Sequence, residues 1–62
     1  MSGKEFRKLR ISIGYTQERL SEEIDVSIRG ISRWEHEDIE IPKIAELALR
    51  YIAEKHQEKK GR

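Results

Sequence analysis

The sequence predicts an all-α protein, a small bundle of four helices forming one domain over residues 1–62. Three observations carry this. Apolar residues recur at helical spacing in four segments. One proline and four aromatic residues (one Trp, two Tyr, one Phe) favour helices over strands. The breaks between segments hold residues that end or open helices, namely Gly14, Thr16, Ser27 and Pro42.

Lys4 to Ile13 reads as the first helix, with Phe6, Leu9 and Ile13 on one face and Gly14 as its stop. The second opens at Thr16, whose hydroxyl suits an N-cap, and turns Leu20 and Ile24 inward. Arg19 stands where a capping box needs Glu or Gln, so no box forms there. The third opens at Ser27 and runs to about Glu35, burying Ile31 and Trp34. Only Asp25-Val26 separates the second helix from the third. Asp adopts the left-handed backbone more readily than most residues, and Val26 can drop into the core and set the angle between the helices. His36 to Ile41 reads as a loop. Pro42 starts the fourth helix, where its missing N–H costs nothing. There Ile44, Leu47, Ala48, Tyr51 and Ile52 form an apolar stripe, with Ala45, Leu49 and Ile52 as a second row beside it. The two rows exceed what one side of a minimal core requires. Residues from about 56 to 62, ending in EKKGR, read as a disordered basic tail.

A chain of 62 residues buries a small core and gains from a partner. It has no cysteine, so neither a disulfide nor a thiolate metal site can staple it, and a reducing cytoplasm is the expected setting. The opening MSGKEFRKLR lacks the apolar run of a secretory signal, and no stretch reaches membrane-spanning length, so no membrane partner is expected. Charged residues make up 40% of the chain, yet the net charge is only +1, a weak global argument for nucleic acid. Distribution says more. Glu37, Asp38 and Glu40 make an acidic patch, Lys55, Lys59, Lys60 and Arg62 a basic tail, and Arg29 and Arg33 lie four apart on one helical face.

Two short helices joined at a steep angle hold the second on the surface, where it can enter the major groove of B-DNA. The first then lies across the groove with its N-terminus aimed at a phosphate. The pairs Thr16-Gln17, Leu20-Ser21, Val26-Ser27, Ile31-Ser32 and Trp34-Glu35 resemble the Cro/repressor-type (XRE) helix-turn-helix family. The resemblance runs from about Glu5 to Ile52 and implies a lambda-repressor-like bundle. The family's fifth helix is either missing or merged into an extended fourth, as in compact phage-like regulators. Roles follow from the resemblance. Gln17 would bind a backbone phosphate and brace the recognition helix, and Thr16 would cap and touch phosphate. Ser27, Ile28, Arg29 and Ser32 would face the groove, with Arg33 one turn beyond. By position rather than resemblance, Lys43 near the start of the fourth helix suits a phosphate, and His36 just past a helix end suits either the carbonyl dipole or a phosphate. Arg10 and Glu35 would form an ion pair tying the first helix to the end of the third, and Trp34 would anchor the core. The sequence departs from the family pattern at Asp25 (usually Gly), at Ser21 (usually Ala) and in the acidic HEDIEI. Gly30 falls inside the recognition helix, at a cost of about 1 kcal/mol against Ala; close approach to DNA is the expected return.

Each reading has a plainer rival: Arg29, Arg33 and Lys43 as solvated charges, Ile28 resting on the second helix. Catalysis is not expected. Glu22-Glu23 and Glu37-Asp38 gather around no pocket, and neither a nucleophile–base constellation nor a phosphate-cradling glycine loop is present. No cofactor, metal or small-molecule substrate is expected, because His36 and His56 are not at ligand spacing. The expected function is sequence-specific recognition of double-stranded DNA by a transcriptional repressor. It would act as a homodimer on an inverted repeat, with Ala45, Leu49, Ile52 and His56 as the dimer surface. The alternative is a protein-interaction module, an antitoxin or accessory subunit using the same fold. A fragment of a larger regulator is a third reading.

Overall fold

A computed structural model describes the backbone of residues 1–60 and the side chains up to His56. Four helices follow in order: α1 (Gly3–Ser12), α2 (Gln17–Ile24), α3 (Ile28–Glu35) and α4 (Lys43–Lys60). α1 packs against both α3 and α4, and α2 packs against α3.

Local chemistry sets each boundary. Ser2 caps α1: its Oγ accepts from the Glu5 amide at 3.1 Å, while Glu5 Oε1 accepts from the Ser2 amide at 2.9 Å. This capping box satisfies two groups that a helix start leaves without partners, and it starts α1 one residue before the expected Lys4. Thr16 and Ser27 cap α2 and α3, accepting from the amides of Arg19 and Gly30 at 3.0 and 3.1 Å. The first three helices all end through a left-handed residue: Gly14 (φ 78°), Asp25 (φ 58°) and Glu37 (φ 64°). At the end of α1 the Tyr15 amide donates to Arg10 O and the Gly14 amide to Ile11 O; at the end of α3 the Asp38 amide donates to Arg33 O and the Glu37 amide to Trp34 O. Both are the paired bonds of a Schellman stop. At the end of α2, Val26 donates to Ser21 O in the same way.

The core gathers Phe6, Tyr15, Leu20, Ile31, Trp34, Ala45 and Leu49, with Leu9, Ile13, Ile24, Val26, Ile41 and Ile52 packed around it. Phe6 meets Trp34 edge to face, ring centroids 5.8 Å apart, so Trp34 joins α1 to α3 from inside. The N-terminus of α1 presses on the C-terminal end of α3 so closely that a Cβ on Gly3 would lie 2.2 Å from Trp34 O. Only glycine fits there.

α4 corrects the sequence reading. Ala45 is 5% exposed and Leu49 0%, and Ile52 packs against the core, so the row expected to form a dimer surface is buried in the chain's own interior. His56, expected on the same surface, is half-buried against Tyr15, with ring centroids 5.3 Å apart. The stripe Ile44, Leu47 and Tyr51 faces outward instead. Both rows have helical spacing, and spacing alone does not say which one the other helices cover. α4 also stays helical to Lys60, past the expected end near His56; the remainder of the expected tail, Gly61 and Arg62, lies outside the described residues.

Candidate nucleic-acid interface

α3 is amphipathic in the strict sense: Ile31 and Trp34 point into the core, while Ile28, Arg29 and Arg33 are exposed. Among the described residues, no ion pair or hydrogen bond engages the side chain of Arg29 or Arg33. Ser27 sits exposed at the helix start, its hydroxyl oxygen occupied as a cap acceptor. Ser32 is half-buried. Its carbonyl lies 2.8 Å from His36 Nδ1, so the exposed His36 ring turns back onto the helix end. Gly30 faces the turn rather than outward. A Cβ there would meet Val26 and Ser27 at 3.3 and 3.4 Å, so the missing side chain eases the fit of α3 against the turn.

A buried polar network fixes how α3 stands. Arg10 Nε donates to Glu35 Oε2 at 2.7 Å and Arg10 Nη2 to Glu35 Oε1 at 3.1 Å, a two-pronged pair with side chains 9% and 3% exposed. Arg10 Nη1 donates to Tyr15 O at 2.7 Å, and Gln17 Nε2 donates to Glu35 Oε1 at 3.0 Å. The network thus joins α1, the loop before α2, the first residue of α2 and the last residue of α3. No buried side-chain nitrogen or oxygen is left without a partner among the described residues. Such a network holds one geometry because any shift strands a donor in a poorly solvated place. Gln17, expected both to bind a phosphate and to brace the recognition helix, turns its amide nitrogen inward to Glu35, and this hydrogen bond is the brace. Thr16 is exposed at the head of α2, its hydroxyl accepting from Arg19 N. Lys43 is exposed as the first residue of α4.

Three contributions escape sequence reasoning. Gly3 gives way to the α3 terminus. Glu37 reaches back from its left-handed position to accept the Lys4 amide at 3.3 Å, placing a carboxylate at the positive end of α1. Tyr15 offers Arg10 its carbonyl and carries the Arg19 guanidinium 4.3 Å above its ring. None of these three has a signature in the sequence; the Ser2-x-x-Glu5 box, a further feature absent from the sequence reading, has one. Among the described residues no cluster of His, Cys, Asp or Glu could hold a metal ion, and no helix is long and apolar enough to cross a membrane.

A four-helix bundle that holds α3 outward on a capped, braced α2–α3 turn defines a small helix-turn-helix protein. The helix-turn-helix family model matches residues 6–49, well over half of the chain, and the protein belongs to this family in its Cro/repressor (XRE) type, a family of DNA-binding transcription regulators. No curated protein and no solved structure matches the chain.

Proposed function

We propose that this protein represses transcription by occupying an inverted-repeat operator as a homodimer, with α3 of each copy in a major groove. The observation that carries this reading is the contrast between the two sides of α3. Its inner side is locked by Trp34 and the Arg10–Glu35–Gln17 network, whereas Ile28, Arg29 and Arg33 stand exposed on its outer side without partners among the described residues. Arg29, in the first turn, reads a base edge, most simply O6 and N7 of guanine. Ile28 meets a thymine methyl, and Arg33 lies one turn further along. Ser27, Thr16 and the amides at the head of α2 face phosphates, which position the helix without specifying sequence. Repression then needs no chemistry beyond occupancy of the promoter.

Selection of bound sequences from a random duplex library tests the proposal, with a palindromic consensus as the expected result. Arg29→Ala is expected to cost roughly 1–3 kcal/mol on the selected site and to relax preference at one base pair. A variant that binds that site like the parent protein refutes the groove assignment.

A protein-interaction module is favoured by one specific feature, the acidic loop Glu37–Glu40 with Ile39 exposed inside it. The salt dependence of DNA binding separates the two readings. Log K for a DNA reader falls steeply with log salt, in proportion to the phosphates contacted; a module that binds proteins shows neither that slope at useful affinity nor a sequence preference.

A further inference from the structure

The outer face of α4 carries three large apolar side chains in water. Ile44 is 80% exposed, Leu47 52% and Tyr51 59%, at i, i+3 and i+7 along one stripe. Beside Leu47 and Tyr51 lies a shallow groove, walled also by Leu9 of α1 and by Arg50, Ala53 and Glu54. A protruding apolar side chain and a shallow apolar groove therefore sit on one face of the same helix, two turns apart.

We propose that a second copy of this chain covers this face, with α4 lying antiparallel on the partner's α4 about a two-fold axis between Leu47 and Ala48. The proposal names the surface of the homodimer inferred above and rests on that reading for its role at an operator. Self-complementarity is the first argument. An axis at that point sets the partner's Ile44 against Tyr51 and the groove, and symmetry repeats the contact, as a two-fold interface requires. Charge is the second. Lys43 and Glu54 are both exposed and lie 11 residues apart, close to three full turns, so they flank the stripe on the same side. Antiparallel packing about this axis keeps both residues on one side of the seam and brings Lys43 to the partner's Glu54 at both ends, whereas parallel packing carries the two flanks to opposite sides and makes neither pair. Area is the third. Three side chains expose on the order of a few hundred Å² per chain, within the range of patches that mark interaction sites yet below the area of a stable specific interface. The dimer is therefore weak on its own and strengthens when both copies sit on one duplex.

Analytical ultracentrifugation of the full chain without DNA tests this. A reversible monomer–dimer equilibrium is expected, with Ile44→Glu raising the dissociation constant about tenfold or more while its thermal melt and its binding to an isolated half-site stay those of the parent. Lys43→Glu should also weaken the dimer, and adding Glu54→Lys should restore it to within about threefold. A parent chain that stays monomeric to millimolar concentration overturns the proposal, including the case in which some other protein covers the face. So does an Ile44→Glu variant that dimerises like the parent. A dimer sensitive to Ile44→Glu in a chain without sequence preference for DNA would leave the interface standing and remove the repressor reading.

Discussion

Replacing Glu35 by alanine removes the centre of the network that braces α3, and its cost can be worked from the contacts. The carboxylate receives three donors: Arg10 Nε at 2.7 Å, Arg10 Nη2 at 3.1 Å and Gln17 Nε2 at 3.0 Å. After truncation the Arg10 guanidinium, with its side chain 9% exposed, keeps a single acceptor, the Tyr15 carbonyl at 2.7 Å. Removing one partner of a buried pair costs about 3–5 kcal/mol, because the other charge stays where water cannot reach it. A domain of 62 residues holds only about 3–9 kcal/mol in total, at roughly 0.05–0.15 kcal/mol per residue. Glu35→Ala should therefore bring the chain close to unfolding at room temperature. Urea titration followed by Trp34 fluorescence reads this directly, since Trp34 sits in the core beside the network. The double variant Arg10→Met with Glu35→Leu removes both charges and should recover most of the loss. A Glu35→Ala midpoint that translates to less than about 1 kcal/mol would mean the pair behaves as a surface ion pair, and the bracing argument would fail.

Two further outcomes follow from other contacts. Gly3→Ala sets a methyl 2.2 Å from Trp34 O, a backbone atom that cannot step aside, so it should lower the thermal midpoint by an amount equivalent to about 1–3 kcal/mol although alanine is the better helix former. Acid should destabilise the fold through Glu5 and Glu46. Glu5 is held below the ordinary carboxyl value of 4.5 mainly by the Ser2 amide it accepts. For Glu46 desolvation pushes upward, but the N-terminal ammonium, the Arg50 hydrogen bond and the charges of Lys43 and Arg50 outweigh it, and the net shift is downward. A depressed carboxyl contributes fully above pH 4.5 and loses its contribution as pH falls through the folded value. Melting curves from pH 6 to pH 2 should fall off below about 4.5, and Glu46→Gln should make that limb shallower.

How much of this was legible in the sequence depends on how local the cause is. Thr16 and Ser27 are caps whose partners lie three residues away, and Asp25 ends α2 in the left-handed backbone that its side chain tolerates. Such features need no knowledge of the rest of the fold. The Arg10–Glu35 pair spans 25 residues, and family resemblance rather than spacing points to it. Gly3 was silent, because its reason is a carbonyl 31 residues away that arrives only when α1 and α3 pack. Glu37 was silent too: a Schellman stop with glycine has a signature, whereas one with glutamate is held by the Lys4 amide from another helix. Gln17 is legible as the head of α2, but its partner there, Glu35, lies 18 residues away and is set only when α2 and α3 pack.

The two faces of α4 show the same limit and decide how the dimer must be tested. Ile44 and Leu49 are five residues apart, about 140° round the helix, so each belongs to its own apolar row. α1 and the core take the row of Ala45 and Leu49, leaving Leu49 with no exposed surface and Ile44 almost fully in water. A charge at Leu49 would have to be buried without a partner, at a cost comparable to the entire stability of the chain. Leu49→Glu should therefore lose its helical circular dichroism at room temperature, and its failure to dimerise would report unfolding. Ile44→Glu should keep parental helicity and melt, so a change in its association state is attributable to the surface alone. A folded Leu49→Glu protein would show that the core does not depend on α4 in the way its burial implies, and the choice of Ile44, Leu47 and Tyr51 as the outer face would fall with it.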